Sequence, residues 1–337
     1  MPPSLVIQTS FLGDTVLTTP LLVRLARDGP VDVVVTPGAA GLVANHPAVR
    51  EAIVYDKRGR DRGIGGFLRL VARLRAPRYG AAFLAQGSAR SAALARAAGI
   101  PRRVGFQTSA GRPLYTVRVP YVANAHHAER LLALADPDMA IALAGTRPRP
   151  SLFPGPGERE AVDAILGGLA ASGDALVGFA PGSVWGTKQW PEYPTLARAL
   201  APAARIVVIG SAADTPLAQA IVAAAGGRAI DATGRMSLLA SAELIRRVGV
   251  LVTNDSAPLH LASAMDTPTV ALFGPTVPAF GFGPLATRSV VAGVESLTCR
   301  PCDRHGPRTC PLGHWRCMRE ITADSVAQIV RSFLSTA

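Results

Sequence analysis

Residues 247–276, RVGVLVTNDSAPLHLASAMDTPTVALFGPT, constrain the fold more than any other stretch of this chain. Val248, Val250, Leu251 and Val252 form a short apolar run rich in β-branched residues, the pattern of a strand buried in a parallel sheet. At its carboxyl end come Thr253, Asn254, Asp255 and Ser256, residue types that cap helices and bind ligands. Pro258 suits a first helical turn, Leu259, Leu261 and Ala262 begin a helix, and Asp266-Thr267-Pro268 ends it. Val270 to Phe273 make the next strand, closed by Gly274-Pro275-Thr276. Asp255, Ser256 and His260 thus sit at a strand's carboxyl end and a helix's first turn. Ligands bind there in open α/β sheets, because free N–H groups and the helix dipole favour anions. Spacing alone equally allows Asp255 or Ser256 a capping role only.

The same alternation runs along the chain. Strands are expected over residues 4–9, 31–36, 52–55, 81–85 and 103–106, with helices at 17–25, from 40, at 67–74, 91–98 and 126–135. Pro20 must lie in the first turn of its helix or kink it. Residues 144–158, AGTRPRPSLFPGPGE, lack periodicity and read as a linker. A second series follows: helices at 158–169, 193–200, 217–225 and 238–247, strands at 175–180, 205–210 and 230–234, then the stretch above and an amphipathic helix at 322–334. The fold class is α/β, with two doubly wound parallel-sheet, Rossmann-like domains. The domains are placed at residues 1–150 and 151–321, followed by a C-terminal helix at 322–337, with the two domains facing across a cleft.

The chain has 337 residues, 49% of them hydrophobic, enough for two ordinary cores. Its formal net charge is +12, so an anionic partner is expected: nucleic acid, a phospholipid headgroup or a phosphorylated substrate. Nucleic acid is disfavoured, because the basic residues are spread along the chain, aromatics are only 5%, and no recognition motif occurs. Lys57 and Lys188 are the only lysines in an arginine-rich chain, which singles each of them out. No apolar run reaches membrane-spanning length, and the first residues lack a signal-peptide pattern, so a cytosolic protein is expected. All four cysteines, Cys299, Cys302, Cys310 and Cys317, fall in one segment spaced C-x2-C-x7-C-x6-C, with His305 and His314 between. In a reducing cytosol this suggests metal or packing before disulfides. Zn²⁺ on thiolates, or on thiolates and histidine, matches the ligand types; an iron–sulfur cluster matches the ligand number; buried reduced thiols are the alternative. Any such metal is expected to be structural, and the donor-side residues to survive its removal.

SFLGDTVLTTPLL near the start, APGSVWGTKQWP at 180–191, TNDSAPLHLASAMDTPTVALFGPT at 253–276 and the cysteine segment CRPCDRHGPRTCPLGHWRCM at 299–318 together resemble glycosyltransferase family 9, the ADP-heptose lipopolysaccharide heptosyltransferases. The resemblance covers nearly the whole chain. It implies a GT-B fold and inverting transfer, with ADP-L-glycero-β-D-manno-heptose as donor and a lipid A–Kdo precursor of the lipopolysaccharide inner core as acceptor. No cofactor is needed for catalysis. A basic surface suits peripheral contact with the inner face of the inner membrane, where such an anionic glycolipid is held.

Residue by residue, Asp14 matches the family's catalytic aspartate, the base that takes the proton from the attacking hydroxyl; from position alone it is equally a helix cap. Lys188 matches a donor-phosphate contact, stabilising the departing ADP together with the hydroxyls of Ser183 and Thr187. Asp255, Ser256, Ala257 and His260 match the donor loop: the backbone of Ser256 and Ala257 meets the pyrophosphate, Asp255 meets sugar hydroxyls, and His260 meets phosphate or braces the helix. Ala257 departs from the glycine common there. Met236 matches a position near the adenine, and Asp214 the acidic ribose contact. Acceptor phosphates are expected to meet Arg58, Arg60, Arg62, Arg102, Arg103 and Arg112, since arginine grips phosphate bidentately. A family 9 transferase using another nucleotide sugar, a nucleotide-sugar epimerase, and a basic nucleic-acid-binding protein are the competing readings.

Overall fold

The computed structural model describes residues 2–167 and 173–335. The chain divides into two compact units, Met1–Phe153 and Pro154–Ala337.

In the first unit the elements run β1 (Ser4–Gln8), α1 (Leu12–Leu17), α2 (Thr19–Ala26), β2 (Val31–Val35), α3 (Pro37–Val43), β3 (Glu51–Val54), α4 (Gly63–Arg75), β4 (Ala81–Phe83), α5 (Ala89–Ala97), β5 (Arg102–Phe106), β6 (Val117–Val119) and α6 (His127–Leu132). The six strands form one parallel sheet in the order β3-β2-β1-β4-β5-β6. Val31 to Val35 are all buried, as a valine-rich strand covered on both faces requires, and the one polar member, Asp32, is satisfied by Arg50 and Tyr79. Pro20 splits the first helical stretch: α1 ends at Leu17 and α2 restarts at Thr19, with the proline at its second position, where no intrahelical N–H is needed. A core of Leu5, Ile7, Val34 and Ile53 from the strands with Leu70, Leu74, Ala92 and Leu94 from α4 and α5 closes one face. Each such aliphatic side chain contributes roughly 1.5–3 kcal/mol on burial.

The second unit runs α7 (Pro156–Leu166), β7 (Ala175–Ala180), α8 (Tyr193–Leu200), β8 (Ala204–Val208), α9 (Thr215–Ala224), β9 (Ala229–Asp231), α10 (Leu238–Arg247), β10 (Val250–Asn254), α11 (Ala257–Met265), β11 (Thr269–Phe273), β12 (Ser289–Gly293), α12 (Arg316–Arg319) and α13 (Ala323–Leu334). Its sheet is also parallel, in the order β12-β11-β10-β7-β8-β9. The helix expected at 158–169 is α7; its expected last two residues, 168 and 169, lie outside the described residues. Residues 322 onward do not stand apart. Val326, Ala327 and Val330 of α13 are buried with Phe179, Leu196 and Val252, and Trp190 Nε1 donates to the Ile321 carbonyl at 2.9 Å.

In each sheet the chain steps outward in both directions from a pair of central strands. That reversal lies between β1 and β4 in the first unit and between β7 and β10 in the second. The loops leaving the carboxyl ends of two such strands diverge and leave a ligand-sized crevice. Among the described residues no helix is long and apolar enough to cross a membrane.

Candidate functional site

The second unit's switch point is built from the loops after β7 and β10. After Ala180 the chain passes through Pro181, Gly182 and Ser183 and turns at Gly186–Lys188 in a single 3₁₀ turn. Asn254 Nδ2 donates to the Pro181 carbonyl at 2.7 Å, locking the β10 loop to the β7 loop. Tyr193, fully buried, donates its hydroxyl to the Ala180 carbonyl at 3.2 Å. Lys188 is 7% exposed, and its Nζ lies 2.6 Å from Asp255 Oδ2. The same oxygen accepts the Thr276 hydroxyl at 2.7 Å. A buried ammonium needs such a partner, since an unpaired charge removed from water is strongly unfavourable. The arrangement places one fixed cation at the crevice edge, beside the first turn of α11, whose leading N–H groups have no intrahelical acceptor.

Asp255 Oδ2 is therefore occupied by Lys188 and Thr276, and this carboxylate holds the cation in place. That is a different job from the expected contact with sugar hydroxyls. Thr187 also departs from expectation. It is 2% exposed and its hydroxyl donates to the Pro307 carbonyl, so it braces the turn. Ser183 Oγ accepts the Trp185 N–H at 3.2 Å, and Ser256 Oγ donates to the Asn254 carbonyl at 3.4 Å. Ala257 opens α11, and His260 is buried one turn further with its ring edge-on to Phe282 at 6.3 Å. Asp214 lies against both glycines that end β7 and β8: a Cβ on Gly182 or Gly210 would come within 3 Å of its carboxylate. Its Oδ2 accepts the N–H and the hydroxyl of Ser211, each at 2.8 Å. Met236 is half-buried just ahead of the α10 cap Ser237.

The cysteine segment is part of this site, contrary to its expected independence. The Pro307 carbonyl accepts from Thr187, Gly186 packs against the Arg308 carbonyl, and Trp185 stacks on His305 at 6.0 Å. Gly306, at φ +80°, fits under Thr187 and Lys188, where a Cβ would lie 3.2 Å from Thr187 Oγ1 and 3.5 Å from Lys188 Cε. The Arg300 guanidinium donates to the carbonyls of Phe273 and Thr276 at 2.9 and 3.0 Å.

The thiols themselves differ. Cys317 is buried in the core on α12, and burial with the neighbouring thiols pushes it up to about 11. Burial, with Cys299 and Cys310 nearby, also raises Cys302, whose thiol donates to the Cys299 carbonyl at 3.2 Å. Burial would raise Cys310 too, but backbone N–H groups from Trp315, Leu312, Gly313 and His314 outweigh it and hold this thiol below its usual value. Cys299 Sγ is 3.9 Å from His314 Nε2. Among the described residues no three Cys, His, Asp or Glu side chains come together as a metal-holding group.

In the first unit Asp14 occupies the third position of α1, in the loop after β1. The Phe11 N–H donates to its Oδ2 at 3.4 Å, so the capping role read from position is present. His127 Nε2 stands 3.7 Å from Oδ1. The Asp14 carbonyl accepts the Thr18 hydroxyl at 2.7 Å, and Gln8 Nε2 donates to that hydroxyl at 3.2 Å. Thr9 Oγ1 donates to Gln86 Oε1 at 2.6 Å, tying the β1 loop to the β4 loop. Lys57 joins this network through its Nζ, 2.7 Å from the Thr9 carbonyl. Partial burial, with Arg58 and Arg90 near, lowers its pKa. Sequence reasoning assigned no role to Lys57, His127 or Thr276; the scarcity of lysine was the one signal available.

The six arginines do not gather. Arg58, Arg60 and Arg62 are exposed in the turn after β3, at the carboxyl edge that also carries Asp14, with Arg60 3.3 Å from Asp61. Arg112 is exposed next to Gly111, whose N–H meets the Gly87 carbonyl at 3.2 Å. Arg102 and Arg103 begin β5 and so lie at the amino edge of the parallel sheet, opposite the Asp14 loop. The Arg103 guanidinium donates to the carbonyls of Leu114, Ile100 and Pro101, a structural role. Strand direction, invisible in a list of loop arginines, removes this pair from the acceptor set.

The whole chain matches a solved structure of E. coli ADP-heptose heptosyltransferase II with a TM-score of 0.82 and 27% identity, covering 99% of each. A family 9 glycosyltransferase from Veillonella parvula shares the fold at a TM-score of 0.85 and 22% identity, covering 100% of this chain and 98% of that one. Two parallel doubly wound sheets with this match define a GT-B enzyme, a glycosyltransferase. In sequence the chain is 30% identical to lipopolysaccharide heptosyltransferase 2 of Salmonella typhimurium over 98% of both proteins. It is 32% identical to lipopolysaccharide heptosyltransferase 1 of Pseudomonas aeruginosa over 88% of this chain and 85% of that protein. Residues 67–315 match the family model for glycosyltransferase family 9 (heptosyltransferase), and the chain belongs to that family.

Proposed function

We propose that this enzyme transfers heptose, with inversion, from ADP-L-glycero-β-D-manno-heptose to a lipid A–Kdo acceptor of the lipopolysaccharide inner core. The observation that carries the reading is the buried Lys188 ammonium, fixed by Asp255 and Thr276 at the switch point between β7 and β10. A diphosphate leaving group gathers negative charge as the glycosidic bond breaks, and a prepositioned cation stabilises that charge most where water is excluded. Asp14 serves as the base. It stands at the switch point of the other sheet, with both carboxylate oxygens near N–H-bearing groups. The first unit binds acceptor through Arg58, Arg60, Arg62 and Arg112; the second binds donor. A net charge of +12 favours work at an anionic membrane face, on the cytoplasmic side where nucleotide sugars are made.

Mass spectrometry of products from ADP-heptose with Kdo-lipid A and with heptosyl-Kdo-lipid A tests this reading. Addition of one heptose to either acceptor is expected; consumption of donor without a glycolipid product overturns it. Two further parts are proposals as well: that transfer needs no metal, and that the cysteine segment takes a structural zinc. The second is supported by Cys302 and Cys317, whose pKa values neighbouring thiols help to raise, and opposed by the lack of a converging ligand group among the described residues. Metal analysis of anaerobically purified protein decides it. About one zinc per chain supports the site, and four titratable thiols without zinc or iron eliminate it.

A further inference from the structure

The Asp14 carboxylate is held from two sides. Oδ2 accepts from the Phe11 N–H at 3.4 Å, within its own loop. Oδ1 lies 3.7 Å from Nε2 of His127, which arrives from the far end of the first unit as the opening residue of α6. Both side chains are largely shielded, at 15% and 16% exposure, so neither is free to sample solvent-facing rotamers. The segment that delivers His127 is itself pinned. The His126 N–H donates to Glu129 Oε2 at 2.7 Å, the Ala128 N–H to His126 Nδ1 at 3.2 Å, and the Arg130 guanidinium to the Ala125 carbonyl at 2.7 and 2.9 Å. The backbone of Asp14 is pinned by Thr18 and Gln8. With Oδ2 on the Phe11 N–H, His127 is the group placed against the other oxygen, where it fixes the rotation of the carboxylate plane.

We propose that His127 is the positioning residue of the base, fixing the Asp14 carboxylate in the rotation that receives the acceptor's hydroxyl proton. The proposal rests on the reading of Asp14 as base. A separation of 3.7 Å is an ion-pair distance; contacts of this kind are often long without substrate and tighten in the reactive complex. Nε2 carries a proton both in the imidazolium and in the Nε2–H tautomer, so it can donate to Oδ1 in either state. Holding the plane matters because a misplacement of about 1 Å at a reacting group can cost on the order of 10²-fold in rate.

The test compares His127→Ala, His127→Gln and Asp14→Asn in steady-state transfer, with melting temperature and ADP affinity measured for each. Gln places an amide N–H close to where Nε2 stands, so it keeps the donor without the ring. His127→Ala is expected to lower kcat by about 10–100-fold, leave both KM values within about twofold, and keep ADP affinity. His127→Gln is expected to recover most of kcat. Two results overturn the proposal while leaving the base reading intact: a normal kcat in His127→Ala with Asp14→Asn inactive, or an equal loss in the Ala and Gln variants accompanied by lower melting temperatures. Normal turnover by Asp14→Asn removes the base assignment itself, and the proposal with it.

Discussion

A single side chain here acquires its meaning from what surrounds it. Asp14→Asn preserves shape and the Phe11 contact but removes the base of the proposed reaction, so transfer is expected to fall by ~10²–10⁴-fold with ADP affinity unchanged; turnover assays and calorimetry check both halves. On the proposed function, Lys188→Ala removes a charge-assisted phosphate contact worth roughly 1.5–3 kcal/mol, and calorimetric titration should find ADP bound correspondingly more weakly. Asp255→Ala is expected to do more than lose a ligand contact. It leaves the Lys188 ammonium buried without its carboxylate, and breaking a buried pair from one side typically costs about 3–5 kcal/mol of stability. Lys188→Ala breaks the same pair, but the carboxylate it leaves still accepts the Thr276 hydroxyl, so thermal melts should find both variants less stable and Asp255→Ala the lower of the two.

Elements were legible where they are buried on both faces. β2, β10 and β11 are buried along their whole length, rich in Val and Leu, and fall where periodicity puts them. β6 and β12 escaped notice: they are edge strands, VRV and SVVAG, partly exposed and too short or too polar to signal. The expectation that the donor-side residues are independent of the cysteine segment fails for a similar reason, because nothing local reveals that its 305–308 stretch lies on the Lys188 turn. Two glycines separate strain from contact. Gly306→Ala and Gly313→Ala both force a side chain at positive φ, +80° and +70°, at about 1–2 kcal/mol each. Only the first pushes on Thr187 and Lys188, since nothing lies within 4 Å of a Cβ at Gly313. Both variants should melt earlier, and only Gly306→Ala should weaken ADP binding. Equal ADP affinities would mean that the segment does not support the donor site.

For the whole molecule, acid stability has an identifiable contribution. His46 is buried in the first unit, accepts the Ala48 N–H on Nδ1 at 3.2 Å and meets Ser151 Oγ through Nε2 at 3.3 Å. Burial lowers its pKa from 6.5 to about 4. Between those values the unfolded chain binds a proton that the folded chain refuses, so stability present above about pH 6.5 declines as pH falls toward about 4. Denaturant unfolding of the wild type and of His46→Gln across pH 4–7 should show a flatter acid limb in the variant; parallel limbs would assign the loss elsewhere.

The sequence by itself determined the α/β class, the carboxyl-end loops that carry Asp14, Lys188 and Asp255, and the family. All of these follow from hydrophobic period, from Gly and Pro punctuation, and from motifs contiguous in the chain. Tertiary structure alone decided which charges meet. Lys188 pairs with Asp255 because β7 and β10 are neighbours at a switch point, and Thr276, from the loop after β11, donates to the same carboxylate oxygen. His127 reaches Asp14 because α6 returns to pack on α1, and Arg102 and Arg103 drop out because strand direction sets them at the other edge. Local patterns record which face of an element is apolar; they hold no information on which distant loop arrives beside it, and the chemistry of this site is made by those arrivals.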